Sequence, residues 1–320
     1  MRAKLEYIHG SPSLCNEFRL STLVAALVIF YAMLRNSAAT AFATPLEPNS
    51  FARVLAGNIT RSRCDTLISD ERILAVEQHF AANKVDPSSS SAAAAAPINI
   101  YFHVIREDAT LVGGNVPDSQ IQAQIDVMNE AYAGTGLTWT LAEVNRVDNA
   151  NWFNNMGGPG TSISREMQVA LRKGGAADLN VYTVAFTNSG LLGYAAFPFD
   201  YQNDPDIDGI VILYSSVPGG TTVPYDLGAT LIHEAGHWVG LYHTFQGGCT
   251  APGDSVDDTP PESSPAFGCP VGRDTCRGGE VDPIHNYMDY TDDSCMTDPF
   301  TPGQVERLKA MMATYRDVTF

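Results

Sequence analysis

The sequence predicts an α/β (α+β) fold: a twisted mixed β-sheet with a backing helix and a histidine-bearing helix, continued by an irregular, disulfide-stapled C-terminal subdomain that ends in a helix. Three observations predict it. Strand and helix patterns alternate between Ile98 and Tyr214, which builds a sheet covered by helices. A helical apolar period then carries His233, Glu234 and His237. Beyond His243 the composition turns to Gly, Pro, Asp and Cys, with almost no periodicity until Thr301, so that part must be held by cross-links.

The chain of 320 residues is 44% hydrophobic and 17% charged, enough for a sizeable core. Its formal net charge of −17 excludes nucleic acid and anionic membrane surfaces as partners, because phosphate binding needs clustered Lys and Arg.

Residues 1–43 read as a leader. Leu20 to Leu34 is an uncharged apolar run of fifteen, preceded by Arg19 and followed by Ala-Phe-Ala at 41–43. A bilayer-spanning helix needs about 20 apolar residues, so the run suits a signal-peptide core with a small-residue cleavage site. The expected product is secreted and extracellular, with no membrane partner once the leader is removed; an uncleaved anchor is the alternative. Asn58-Ile59-Thr60 is an N-glycosylation acceptor. Residues 44–96 form the next unit. Phe51 to Val85 reads as helical, with a start signal at Ser69-Asp70-Glu71-Arg72 and a stripe of Ile73, Leu74, Val76 and Phe80. The low-complexity Ser/Ala linker from Asp86 to Pro97 closes it and marks a domain boundary.

The main domain is 97–320. Ile98 to Ile105 alternates as a first strand, and Pro117-Asp118-Ser119 caps a helix through Ile121, Ile125, Val127, Met128 and Tyr132. Leu137 to Val147 is a second strand, 162–172 a second helix and Asp178 to Phe186 a third strand. Gly190 to Phe197 is a short edge strand on which an extended peptide can pair, and Gly209 to Tyr214 is apolar throughout, as in a strand buried on both faces. Thr301-Pro302-Gly303-Gln304 opens the final helix through Val305, Leu308, Met311 and Met312.

The chemistry lies in His233 to His243, which has the form H-E-x-x-H-x-x-G-x-x-H. The run from Asp226 to Trp238 is helical, with Asp226 as N-cap or first-turn acid, so His233 and His237 stack on one face. Gly240 frees the chain to reverse and return His243 to the same ion. Three imidazoles leave a fourth position open for water, the arrangement of a catalytic Zn²⁺ rather than a structural one, and Glu234 is the natural general base. Cys249, Cys269, Cys276 and Cys295 supply two disulfides with three possible pairings. Cys64 is left over upstream. As a thiol ahead of a zinc site it either silences the precursor as a fourth ligand, released by a cut in the linker, or pairs with Cys15 or is merely buried. Asp254, Asp257, Asp258 and Thr259 are candidates for a structural Ca²⁺, against a solvated acidic loop. Asp204 to Gly209 only imitates an EF-hand loop and reads as a plain loop. Asp292 and Asp293, close after Met288, are either an ordinary solvated acid pair on a turn or, if the centre cuts a peptide, acids placed to favour a basic side chain just after the bond that is cut.

These residues resemble the metzincin clan of zinc metalloproteases and, within it, the pappalysin family, in its cytophagalysin branch of extracellular fungal and bacterial enzymes. Thr244-Phe245 follows the third histidine; Asn286-Tyr287-Met288-Asp289-Tyr290 looks like the Met-turn; and Arg61-Ser62-Arg63-Cys64-Asp65-Thr66 looks like the family's Arg-x-Cys-Gly-Thr prosegment motif, with Asp65 in place of Gly. The resemblance implies a metzincin-like fold with an upper sheet subdomain over a lower irregular one, and an endopeptidase acting on proteins or peptides. It implies Met288 beneath the metal, and Tyr290 as an extra ligand or as donor to the oxyanion. It also implies disulfides Cys249–Cys276 and Cys269–Cys295, and a Cys64-silenced zymogen. The competing class is a secreted or membrane-anchored zinc-containing binding protein without turnover, whose signature would be loss of Glu234 or of the open position.

Overall fold

The computed structural model describes residues 54–56, 59–86, 97–278 and 280–320. The apolar run at 20–34, Cys15, the acceptor Asn58 and linker residues 87–96 lie outside the described residues. The described residues form one compact unit.

A five-stranded sheet organises the main domain. Its strands are β3 (Ile98–Arg106), β4 (Trp139–Asp148), β5 (Asp178–Val184), β6 (Gly193–Ala195) and β7 (Ile210–Leu213), in the order β4-β3-β5-β7-β6. All neighbours are parallel except β6, which runs antiparallel to β7 at one edge. Strands β5 and β7 are buried almost throughout because helices cover both faces of the sheet. On one face Ile100, Phe102, Val104, Val181 and Ile212 pack with helices α2 (Asp118–Ala131) and α5 (Ala229–Trp238). On the other, Tyr182, Val184 and Val211 meet Trp152 and Phe153 of α3 (Ala150–Asn155) and Met167 of α4 (Ser162–Leu171).

Local differences from the sequence expectation have physical causes. Helix α2 starts as expected, but neither Asp118 nor Ser119 caps it; Pro117 is the N-cap, and Asp118 pairs with Arg146 instead. The 51–85 stretch is not helical throughout: β1 (Val54–Ala56) and β2 (Ile59–Arg61) form an antiparallel hairpin before α1 (Asp70–Asn83). Ser69 does cap α1, its hydroxyl accepting from Arg72 N at 3.3 Å.

From Val239 to Phe300 the chain is irregular apart from one 3₁₀ turn at Asp293–Cys295. It is stapled by Cys249–Cys276 and Cys269–Cys295, the pairing the resemblance implies, with Cα separations of 5.4 and 5.5 Å. Helix α6 (Pro302–Arg316) then opens with a complete capping box between Thr301 and Gln304. No helix among the described residues is long and apolar enough to cross a membrane.

Candidate metal centre and cleft

Helix α5 carries His233, Glu234 and His237, and every one of its residues is buried. It begins three residues later than the sequence suggests. Asp226 is neither its cap nor in its first turn; Gly228 is the N-cap at φ 92°, and Leu227 is half exposed outside the helix. The acid at this end comes from far along the chain: Asp293 Oδ2 accepts from Leu227 N at 2.9 Å and Ala229 N at 3.3 Å. Gly240, at φ 105°, turns the chain back, and a Cβ there would press on Met311 of α6.

The turn brings His243 to the other two imidazoles. His237 Nε2 lies 3.2 Å from His233 Nε2 and 3.0 Å from His243 Nε2. His233 Nδ1 donates to Tyr287 O at 2.6 Å and His237 Nδ1 to Leu241 O at 2.8 Å, which leaves both Nε2 atoms as acceptors. Two lone pairs facing each other require a cation between them. A proton is a poor candidate, because burial lowers all three imidazole pKa values, that of His237 to about 4. Neutral imidazoles with converging Nε2 atoms fit a Zn²⁺ ion, and the soft Cys64 Sγ completes the set: the four ligand atoms all lie within 4.8 Å of one another.

Glu234 sits beside this cluster, fully buried. Thr66 donates to its Oε2 at 2.9 Å and the Cys64 thiol lies 3.5 Å from the same atom, while Oε1 has no hydrogen-bond partner among the described residues. Burial pushes its carboxyl up to about 8, and burial with the Glu234 charge pushes the Cys64 thiol up. The Tyr290 hydroxyl reaches Cys64 O at 3.3 Å, and the Tyr290 ring stands 4.9 Å from that of His243. Met288 packs under α5, where a Cβ on Gly236 would overlap its Sδ and lie 3.1 Å from its Cε. Gly193 on β6 is also tight, though less so, since a Cβ there would come within 2.9 Å of the Glu234 carboxylate. Both glycines mark close backbone approach, a signal the sequence carried without pointing to a cause.

The segment before α1 fills the cleft. Ser62 pairs in parallel with Leu191 beside β6, and Asp65 N donates to Gly193 O at 3.1 Å, so the edge strand does bind an extended peptide, and it is the chain's own. Arg63 is buried, with Nη1 on Asp293 Oδ1 at 2.9 Å and its guanidinium 4.9 Å from the centre of the Tyr225 ring. Asp293 therefore both receives the Arg63 cation and accepts from backbone N–H groups at the start of α5, a double use beyond what its position near Met288 suggested.

Two of the three acids proposed for calcium are engaged in internal hydrogen bonds. Asp254 accepts from Val256 N and the Thr259 hydroxyl, and Asp258 from the Thr301 hydroxyl and Gly303 N at the start of α6. Cys269, His285 and Cys295 also cluster, but their two sulfurs are joined in a disulfide. Asp208, in the loop that imitates an EF-hand, is buried against Arg316 and Trp238.

Residues 178–313 match the Peptidase_M43 family, described as pregnancy-associated plasma protein-A. The chain is 46% identical over 266 residues to extracellular metalloprotease 1 of Coccidioides posadasii, covering 82% of this chain and 92% of that one. It is 44% identical over 255 residues to an extracellular metalloprotease of Pyricularia oryzae, covering 79% and 87%. Among solved structures it is similar to a promirolysin variant of Tannerella forsythia (TM-score 0.59, 29% identity, 77% of this chain and 89% of that one). It is also similar to mature mirolysin in complex with a cleaved peptide (TM-score 0.56, 28% identity, 70% and 99%). These likenesses remove the binding protein without turnover from consideration. With a metzincin-like sheet, a buried histidine cluster and relatives this similar across most of their length, the chain belongs to the pappalysin (Peptidase_M43) family and is an extracellular metalloendopeptidase.

Proposed function

We propose that this endopeptidase is a zinc enzyme made as a precursor that Cys64 keeps silent, with His233, His237 and His243 as metal ligands and Glu234 as general base and acid. One observation carries the reading: the Cys64 sulfur and a ring nitrogen of each of His233, His237 and His243 lie within 4.8 Å of one another, next to the Glu234 carboxylate. Bound there, zinc supplies Lewis acidity toward a water and the scissile carbonyl. Glu234 takes the proton of the attacking water on a carboxylate oxygen and passes it to the leaving amine nitrogen. The buried Tyr290 hydroxyl, which bonds to Cys64 O, is assigned as donor to the scissile carbonyl oxygen as charge develops on it once residues 62–66 have left. The N–H of Ala195, now donating to Thr66 Oγ1 at 2.8 Å, becomes available to a peptide substrate.

Arg63 in the Asp293 pocket supports a further element, a preference for a basic side chain in the residue after the scissile bond. Calcium binding at Asp254, Asp257, Asp258 and Thr259 receives less support, because Asp254 and Asp258 are already hydrogen-bonded internally.

Two substitutions test the reading. Glu234→Gln is expected to retain one equivalent of zinc and lose nearly all peptidase turnover; near-normal turnover overturns the base assignment. A Cys64→Ser precursor is expected to be active without processing, and a precursor as silent as wild type overturns the switch.

A further inference from the structure

Residues before the linker hold the main domain at two separate places. One is the cleft, through Arg63, Cys64 and Thr66. The other is the outer face of α6, where Ile73 and Phe80 of α1 enter an apolar patch of Phe197, Phe199, Met311 and Tyr315. Centred on that patch is a built carboxylate receptor. Arg307, its side chain 6% exposed, donates from both terminal nitrogens to Glu77, at 2.6 and 3.1 Å, while its Nε is fixed to Gly240 O at 3.0 Å. The Tyr242 hydroxyl donates to the same carboxylate at 2.9 Å, and the guanidinium lies 4.6 Å from the Tyr242 ring centre. Val85 N, close to the linker, is bonded to Thr314 Oγ1 at 3.0 Å.

Every one of these contacts belongs to residues N-terminal to the linker. A cut within 87–96 breaks none of them. The two anchors are joined through Leu67, Ile68 and Ser69 alone, so each holds the other at high effective concentration, in the mM range for tethers this short.

We propose that the face made by Arg307, Tyr242, Phe199 and Met311 is an exosite of the mature enzyme whose occupant is its own excised prosegment, docked through the Ile73, Glu77 and Phe80 side of α1. Severing the linker then yields an occupied, inhibited enzyme, and release requires the loss of one anchor. The inhibitory half of this statement rests on the Cys64 latency reading; the docking half does not.

The experiment uses the full chain with a specific protease site placed in 87–96. Retention is read in a Glu234→Gln background, which prevents self-digestion, by cutting and then separating the products by size under native conditions. The N-terminal fragment is expected to stay with the main domain. Glu77→Ala, which leaves the Arg307 guanidinium without its partner, is expected to weaken retention by about 30-fold, with Phe80→Ala acting in the same direction. In the chain that keeps Glu234, activity after cutting is expected to rise earlier in the Glu77→Ala protein than in wild type. Immediate separation of the wild-type fragment, or equal retention in wild type and both variants, overturns the exosite. An uncut precursor that is already active overturns the latency reading instead, while the retention measurement still decides the docking.

Discussion

Asp293→Asn separates two tasks that one carboxylate performs. Oδ1 receives the Arg63 guanidinium and Oδ2 receives the backbone N–H groups of Leu227 and Ala229 at the start of α5. Both members of the pair have side chains at most 1% exposed, so the substitution leaves a buried cation without a counter-charge. Removing one partner of such a pair costs about 3–5 kcal/mol. The lost charge at the helix N-terminus adds about 0.3–2 kcal/mol, and Asn still offers one oxygen there. On the proposed specificity, a basic side chain of the substrate takes the place of Arg63 in the mature enzyme. The expected fall in kcat/KM for a peptide with Arg after the scissile bond is therefore on the order of 10²–10⁴-fold, since 1.36 kcal/mol is tenfold. A matched peptide with Leu at that position is expected to lose only the helix contribution, less than about 30-fold. The assay is the ratio of the two kcat/KM values. An equal loss for both peptides refutes the cation-receptor role and leaves Asp293 a helix cap alone; an unchanged preference for Arg refutes the pocket.

Three further predictions follow from the packing and the titrating groups. Gly236→Ala drives a Cβ into Met288, at about 1–3 kcal/mol for overpacking, against a gain of about 1 kcal/mol in helix propensity; the net loss, read by denaturant titration, is expected to shrink when Met288→Ala is added, and strict additivity would count against the contact. Asp254 is raised to about 7 by burial, so its ionisation costs stability progressively between the unfolded pKa near 3.8 and pH 7. Asp254→Asn is accordingly expected to raise Tm at pH 8 and not at pH 4 in EGTA with zinc saturating, whereas a fall at pH 8 that appears only with added calcium would instead favour the calcium site. Reduction of Cys249–Cys276, which closes a separation of 27 residues, is expected to cost about 3–4 kcal/mol, checked by comparing the Tm of the Cys249→Ser/Cys276→Ser protein with wild type.

What the sequence disclosed depended on whether the deciding contact was local. The alternation of Ile98, Ile100, Phe102 and Val104 is legible in β3, whose Asn99 and Tyr101 are less buried, and β7 is legible as a continuous apolar run because both of its faces are covered. The H-E-x-x-H stretch is legible because i and i+4 share a helix face, and Gly240 because only a residue free at positive φ turns the chain there. The start of α5 was misplaced for the opposite reason. A local acid, Asp226, looks like a cap, but the carboxylate that satisfies the helix comes from Asp293, brought in by the irregular subdomain. Gly193 and Gly236 were silent in the same way: what each makes room for, Glu234 and Met288, lies 41 and 52 residues away along the chain. The β1/β2 hairpin was missed within a stretch where the later helical stripe dominated.

Asp65, the residue at which this chain departs from the family's prosegment motif, tests whether the latency reading depends on that position. Cys64 and Thr66 both reach the Glu234 carboxylate, and Arg63 reaches Asp293; on the latency reading these three side chains stop three different things: the metal's open position, the proposed base and its edge-strand N–H, and the proposed cation pocket. Asp65 has none of these tasks. Its backbone N–H pairs with Gly193 O, and its side chain lies against Gly158, where a Cβ on the glycine would overlap its carboxylate. Partial burial raises its carboxyl pKa, which is the cost of a charge placed where the motif has none. On the latency reading the Asp65 side chain is accommodated because Gly158 leaves room for its carboxylate. On this account Gly158→Ala displaces Asp65 and loosens the segment, while Asp65→Gly in the same chain restores it. Equal autoactivation rates in Gly158→Ala, the double variant and wild type would show that position 65 bears on latency in neither direction.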